Sequence, residues 1–430
     1  MAIGLLGLAR SASAQAIGQE ALSYLGTVAA ADSLQTWDQG KLYSAETVLD
    51  HNREGFMPTG YVLPAGHMFY PSIGAKAVFD DNLFLQPNAG KVSDIRESLT
   101  PRLLLEAALP RHMFRIEADG EVVRFQNHPN LDFVNANVKA DWHLDLDAAD
   151  TIGGTFQSRL GHNEDFLPIE PDSPSVALPN QSTRAAIGYS HDAGRTALTV
   201  GADWEKNSYA DVLSYAGNQL DEKANDNTII GAFSVLSYRW SPGYRAFLAG
   251  RIDRQLLTNE RSAYANNFSY RAESGIVYEA DPLLQFTLYA GYQFIAFDDS
   301  RQYNISTPTY RVAMQWLPTR RLTVNFDAGQ QVQQTVQGAI FGELSNQFHG
   351  RIQYDIWHNI VGNLDATYEN DQYIGSDRRD TQWSGSASLD YLLNENLALT
   401  LSYQHTERTS NEDQYDYNDN RYMVSLKFAK

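Results

Sequence analysis

The sequence predicts an all-β protein: a transmembrane, antiparallel, up-and-down β-barrel of about eighteen strands. Three observations predict it. Segments of about ten residues alternate apolar with polar side chains from Phe69 onward, as barrel-spanning strands do. Tight turns and long polar connections alternate between those segments. Finally, a polar chain of 430 residues with net charge −19 carries 24 Tyr, 19 Phe and 7 Trp. A barrel reconciles the three, because its outside is greasy and its inside is wet.

Composition removes several function classes. Cysteine is absent, so disulfide frameworks, thiolate metal sites and cysteine nucleophiles are excluded. The acidic balance argues against nucleic acid or an anionic surface as a partner. No run approaches the roughly 20 apolar residues of a membrane helix. There is no Gly-x-Ser-x-Gly elbow, P-loop or His-Glu-x-x-His, so no catalytic residues, no cofactor and no enzymatic activity are expected.

Taken in order, residues 1–14 read as a signal peptide. Ile3 to Ala9 forms a short apolar run, and Ala12-Ser13-Ala14 gives a small-x-small cleavage pattern before Gln15. The basic n-region is missing, which fits a truncated start. Residues 15–67 form a periplasmic segment outside the repeat. Ile17, Ala21, Leu25 and Val28 recur at helical spacing, which predicts a short amphipathic helix near Gln15–Ala31. Gly55, Pro58, Gly60, Pro64 and Gly66 then break regular structure. This segment can hang in the periplasm, plug the barrel or pair with a partner, and the residues leave all three open.

Residues 68–430 are the barrel. Its tight turns fall at 110–112, 145–149, 192–195, 241–243, 281–282, 318–320, 358–359 and 394–396, rich in the Gly, Pro, Asn and Asp that hairpins need. The long connections fall near 82–97, 126–131, 163–181, 206–227, 255–267, 297–305, 332–346, 370–379 and 405–419. One rim therefore carries short periplasmic turns and the other longer extracellular loops, as in the outer membrane of a Gram-negative bacterium. Within strands the registers separate cleanly. Strand three sets Phe114, Ile116, Ala118, Gly120 and Val122 against Arg115, Glu117, Asp119 and Glu121. Strand four sets Val134 through Leu144 against Asn135, Asn137, Lys139, Asp141 and His143. The apolar registers carry no charge over these spans, and a charge there would cost roughly 2–4 kcal/mol at the lipid midplane. The stretch from Ile229 to Tyr238 is apolar on both faces and stays ambiguous. Trp142, Trp204, Tyr244, Trp316 and Phe428 sit toward strand ends, where an interfacial girdle belongs.

The last strand sets Tyr422, Val424, Leu426 and Phe428 against Arg421, Met423, Ser425 and Lys427. By itself it fits a soluble edge strand as well as a barrel terminus. After a long series of like strands it reads as the closing strand, pairing near Ser72–Phe79. Its four apolar residues are then the C-terminal signal read by the barrel assembly machinery.

The inward register mixes both signs. Pore-lining candidates are Arg102, Glu106, Arg115, Glu117, Glu121, Lys139, Asp141, Arg159, Arg251, Asp253, Arg271, Glu273, Arg311, Asp327, Arg351 and Asp355. Such residues pair across strands, line a hydrated pore, or do both. The acidic trio Asp80-Asp81-Asn82 and the acidic stretch 411–420 read as solvated loops, with Ca²⁺ binding the alternative, and no metal site is assigned. Tyr415 and Tyr417 are candidates for stacking on sugar rings.

One stretch carries a resemblance. Val48-Leu49-Asp50-His51-Asn52-Arg53, Gly60-Tyr61, Met68-Phe69-Tyr70-Pro71-Ser72-Ile73-Gly74 and Phe79-Asp80-Asp81-Asn82 resemble the start of a family of outer-membrane β-barrel porins. Ser93-Asp94, Leu99-Thr100-Pro101-Arg102-Leu103 and Arg111-His112 continue the likeness; His51-Asn52-Arg53 departs from the family's usual entry. Many members of that family accompany exopolysaccharide or capsule biosynthesis and export systems. The resemblance therefore implies a conduit for exopolysaccharide. Its implied partners are a polysaccharide substrate, lipid and lipopolysaccharide, and periplasmic export or co-polymerase proteins. The residues themselves equally allow a general diffusion porin for small solutes, or a closed structural barrel.

Overall fold

Alternation of apolar and polar residues forces each strand to bury nothing by itself, so the chain closes a sheet on itself. The computed structural model describes residues 56, 58–109, 111–163, 174–281, 283–333 and 342–430. The expected signal peptide, the helix near Gln15–Ala31 and the His51-Asn52-Arg53 entry lie outside the described residues, as do parts of the loops near 163–181 and 332–346.

Eighteen antiparallel strands form the barrel: β1 (Met68–Asp80), β2 (Asp94–Leu109), β3 (His112–Phe125), β4 (Phe133–Asp145), β5 (Asp150–Asn163) and β6 (Leu178–Asp192). Then follow β7 (Thr196–Tyr209), β8 (Asn227–Ser241), β9 (Tyr244–Leu257), β10 (Asn267–Asp281), β11 (Leu284–Phe297) and β12 (Ile305–Thr319). The circuit ends with β13 (Leu322–Gln333), β14 (Gly342–Trp357), β15 (Ile360–Ile374), β16 (Arg379–Leu392), β17 (Leu397–Ser410) and β18 (Tyr417–Ala429). Each strand pairs with its neighbours in sequence, and β18 returns to β1 in register from Ser72↔Ala429 to Asp80↔Arg421. Closure leaves no unpaired edge, the condition for a sheet to stand in lipid.

Turn chemistry sets the tight rim. Between β8 and β9, Ser241 pairs with Tyr244 across Pro242-Gly243, and Gly243 takes φ +76°. A side chain there would be strained, so glycine permits the two-residue hairpin.

The outer face is apolar. Tyr422, Val424, Leu426 and Phe428 are 45–54% exposed and alternate with half-buried partners. At the tight-turn rim Trp240, Tyr244, Tyr278 and Phe286 form a run with successive ring centroids 5.0–5.8 Å apart. Toward the long-loop rim Tyr403, Tyr422 and Phe79 form another, at 5.0 and 6.2 Å. Trp204, Tyr244, Trp316 and Phe428 all stand on the exposed outer face.

Three sequence expectations are refined. The ambiguous strand is β8. Ile230, Leu236, Tyr238 and Trp240 face out, while Phe233 and Val235 face in and are buried. Phe233 fits because it lies over Gly201 of β7, where a Cβ would come within 2.4 Å of its ring. The connection expected over 370–379 is only four residues long, because β15 runs on through Asn370 to Ile374. Those residues are polar because the strand end is wet, and polarity there had the look of a loop. The outer registers of β3 and β9 stay uncharged only up to Val122 and Ile252. Beyond them, near the long-loop rim, Arg124 pairs with Asp132 at 2.7 Å and Arg254 bonds Asp298 while lying 4.4 Å over the Phe268 ring. Above the hydrocarbon a charge on the outer face costs little.

Candidate functional site

The inward register gives the barrel a wall of charged and amide side chains, most of them engaged with one another. On β2–β5 the charges form a ladder. Arg102 meets Glu117 at 2.6 Å, and Arg115 stands 3.9 Å from both Glu106 and Glu117. Glu121 meets Lys76 of β1 at 3.5 Å. Lys139 lies 3.3 Å from Asp141, which accepts a 2.8 Å bond from Thr155. Arg159 is exposed at the end of this group.

A second group spans β6–β10. Arg251 donates through both terminal nitrogens to Asp203, at 2.8 and 3.0 Å, and through Nε to Asp253 at 3.0 Å. Asp203, Gly231 and Asp253 are consecutive partners on β7, β8 and β9. The guanidinium therefore crosses a whole strand over Gly231, where a Cβ would lie 2.5 Å from Arg251 Nη2. Such a two-oxygen fork is the strong form of an arginine–carboxylate pair. Arg184 approaches Glu205 at 3.8 Å in the same area, and Arg271 is the ladder partner of Arg251. Glu273 accepts a 2.7 Å bond from Thr309 across Gly291. The remaining candidates form separate pairs. Arg311 meets Asp327 at 2.8 Å, Arg351 meets Asp365 at 2.6 Å, and Asp355 is buried near the tight-turn rim.

Sequence reading missed Lys76, Arg184, Asp203, Glu205 and Asp365. The signal for two of them was present: Asp203 and Glu205 flank outward Trp204 at spacing two, so both had to face in.

Strands β15–β17 present a different wall. Ser384, Ser386 and Ser388 on β16 are ladder partners of Thr406, Gln404 and Ser402 on β17, and Asn363 of β15 bonds Ser388 and Asp390 at 3.1 and 2.8 Å. The middle of β16 and β17 is thus hydroxyl and amide, bounded by Asp390 toward the tight turns, by Asp380 and Arg408 at the mouth, and by Asp365, Glu369 and Asp371 on neighbouring β15.

At the long-loop mouth Arg378 bonds Asp380 at 2.6 Å and lies 3.4 Å over the Tyr415 ring and 4.4 Å over Tyr373. Arg408 bonds Asp380 and the Tyr373 hydroxyl. The expected stacking platform at Tyr415 is thus occupied on that face by a guanidinium, held by a cation–π contact. The Tyr417 hydroxyl donates to Gln382 at 2.8 Å.

The acidic trio lies at the seam between β1 and β18. Asp80 meets Arg421 at 3.0 Å; Asp81 accepts bonds from the Asn420 backbone and side-chain amides, both at 2.7 Å, with Lys91 at 3.5 Å. Burial opposes ionisation of Asp81, yet these donors outweigh it and hold its carboxyl below its ordinary value. Its oxygens are taken up by protein donors. Among the described residues no group of three His, Asp or Glu is placed to hold a metal ion.

A family model described as putative beta-barrel porin 2 matches residues 56–430. No curated protein matches the chain. Among solved structures it is similar to OpdK of Pseudomonas aeruginosa, crystallised with vanillate, at 11% identity and TM-score 0.44, covering 84% of this chain and 99% of that one. A BenF-like porin from Pseudomonas fluorescens Pf-5 gives 11% identity and TM-score 0.46, covering 84% and 99%. The siderophore receptor PirA from Pseudomonas aeruginosa gives 9% identity and TM-score 0.46, covering 87% and 81%. None of these scores reaches 0.5, and no statement about function follows from them.

Proposed function

The chain belongs to the putative beta-barrel porin 2 family, and from that premise we propose that it is an outer-membrane conduit for exopolysaccharide. The observation that supports this cargo is the uncharged strip at the middle of β16 and β17. Ser384, Ser386, Ser388, Ser402, Gln404 and Thr406 offer donors and acceptors without charge along the lumen. A hydroxyl-rich chain exchanges hydrogen bonds with such a surface at little net cost, so it is guided without being trapped. Eighteen strands leave a water-filled lumen in barrels of this size. On this reading the driving force comes from periplasmic export or co-polymerase proteins, lipid and lipopolysaccharide surround the apolar belt, and the assembly machinery reads β18.

Planar-bilayer recording tests it. The expected result is an ion conductance interrupted by long oligosaccharides added from the periplasmic side. A large conductance indifferent to long glycans would favour a diffusion porin for small solutes. Zero conductance would favour a closed structural barrel.

A further inference from the structure

The uncharged strip of β16 and β17 ends, at the long-loop mouth, beside a group of carboxylates. Glu343 of β14 and Glu369 and Asp371 of β15 all stand on the inward register, with Tyr373, Gln347 and Ser345 as their respective ladder partners. On the outer face of the same strands Phe348, Tyr368 and Trp383 are successive ladder partners, 40–45% exposed, and mark the outer end of the apolar belt. Glu343 and Asp371 lie beyond that row, in the mouth. Among the described residues none of the three carboxylates forms an ion pair. Neighbouring Arg351 meets Asp365 at 2.6 Å, and Arg378 and Arg408 both bond Asp380.

The Glu343 carboxyl lies in hydrogen-bonding contact with that of Asp371, and the buried Ser345 hydroxyl donates to Glu369 at 2.9 Å. Asp371 is 5% exposed, yet its Oδ1 receives no N–H or hydroxyl donor among the described residues. A buried acceptor without a donor is costly, and carboxylates in contact repel unless a cation or a shared proton lies between them. A metal ion does not fit, because among the described residues no group of three His, Asp or Glu has the spacing to hold one. A primary ammonium does fit. It carries three donors, bonds carboxylate oxygens at about 2.7–2.9 Å, and needs no closed coordination shell.

We propose that Glu343, Glu369 and Asp371 form a site for a primary ammonium carried on the glycan, and that the cargo is a polysaccharide with free amino groups on part of its sugars. The inference rests on the conduit reading and names its cargo class. The hydroxyls of such a chain exchange hydrogen bonds with Ser384, Gln404 and Thr406, while its ammonium groups are received at the mouth by carboxylates. An acetylated amine is uncharged with a single N–H, so it loses most of what the site offers.

The test is blockade of the full chain in planar bilayers by a glucosamine hexamer, an N-acetylglucosamine hexamer and monomeric glucosamine, each added to both compartments. The half-blocking concentration of the glucosamine hexamer should be at least about tenfold below those of the acetylated hexamer and of the monomer. The variant Glu343→Gln/Glu369→Gln/Asp371→Asn should bring the two hexamers to within about twofold of each other. Glu343→Gln and Glu369→Gln alone should each weaken the preference about threefold, and they decide the matter if the triple variant gives no heat-shifted folded band. Glu412→Gln/Asp413→Asn removes mouth charges away from the site and should keep the preference. Equal blockade by the two hexamers would overturn the proposal and leave the conduit reading standing, whereas blockade by neither would overturn both. A preference that survives the site substitutions, or that Glu412→Gln/Asp413→Asn removes equally, would overturn the site, since bulk charge would then be the cause. A monomer as effective as the hexamer would overturn the glycan chain as the source of the ammonium.

Discussion

Arg251 reaches across β8 because Gly231 has no side chain to stop it. Its side chain is only 7% exposed, and that of Asp203 is 2% exposed. A buried pair of this kind is costly to break, because either partner left alone is an uncompensated charge. Gly231→Val should therefore displace the guanidinium and destabilise the barrel by roughly 1–3 kcal/mol. Gly350→Ala adds a methyl with nothing within 4 Å and should be near neutral. Urea unfolding followed by the electrophoretic heat shift of the folded barrel compares the two. Equal midpoints would show that Gly231 is not what lets the bridge form. Half of this bridge was legible in the sequence: Arg251 and Asp253 stand two apart on one register. The other half was not, since Asp203 lies 48 residues earlier and meets Arg251 only after β7, β8 and β9 have aligned.

Among the elements, β18 gives the sharpest predictions. It pairs with β17 on one side and β1 on the other, so its formation completes the closed wall. Phe428 is 49% exposed on the outer face near the tight-turn rim, beside Ile73 of β1 and Leu397 of β17 in the ladder. Phe428→Asp places a charge toward lipid on the strand that closes the wall. It should abolish outer-membrane insertion, read as loss of the heat-shifted folded band; normal insertion would refute the role given to β18. At the other end of the same seam, Asp81 holds Asn420. Its carboxyl is held below the ordinary value, so it contributes stability that is present above its unfolded pKa and lost as pH falls through the folded one. Asp81→Asn should flatten the loss of stability between about pH 5 and pH 3. An unchanged acid limb would remove Asp81 from the seam's energetics. The pairing of β18 with β1 was legible because the outward registers, Ile73 to Phe79 and Tyr422 to Phe428, are apolar throughout. The full length of β15 was not, because a strand that emerges into water has the composition of a loop.

At the scale of the whole molecule, the sixteen wall residues picked out by alternation are evenly matched: eight are Arg or Lys and eight are Asp or Glu. The net charge of −19 therefore resides in other residues, both inward ones such as Asp119, Asp203, Glu205, Glu343, Glu369 and Asp371 and acidic connections that hold Asp211, Asp298, Asp299, Glu412 and Asp413. The closed barrel and its strand count were legible because each follows from a period of two. The inward placement of Phe233 and Val235 was not, since β8 is apolar on both faces and alternation cannot assign it. A wall of mixed sign with an acidic excess predicts a modest cation preference, reinforced by the acidic mouth. Arg251→Gln unbalances it locally, leaving Asp203 and Asp253 without the guanidinium that joins them. The reversal potential in a KCl gradient should then shift toward that of K⁺. The double variant Asp203→Asn/Arg251→Gln removes one carboxylate with the cation and should return the potential toward its original value. If Arg251→Gln forms normal folded barrels but leaves the reversal potential unmoved, the β6–β10 cluster does not face the ion path. Its charges would then serve only to stiffen the wall.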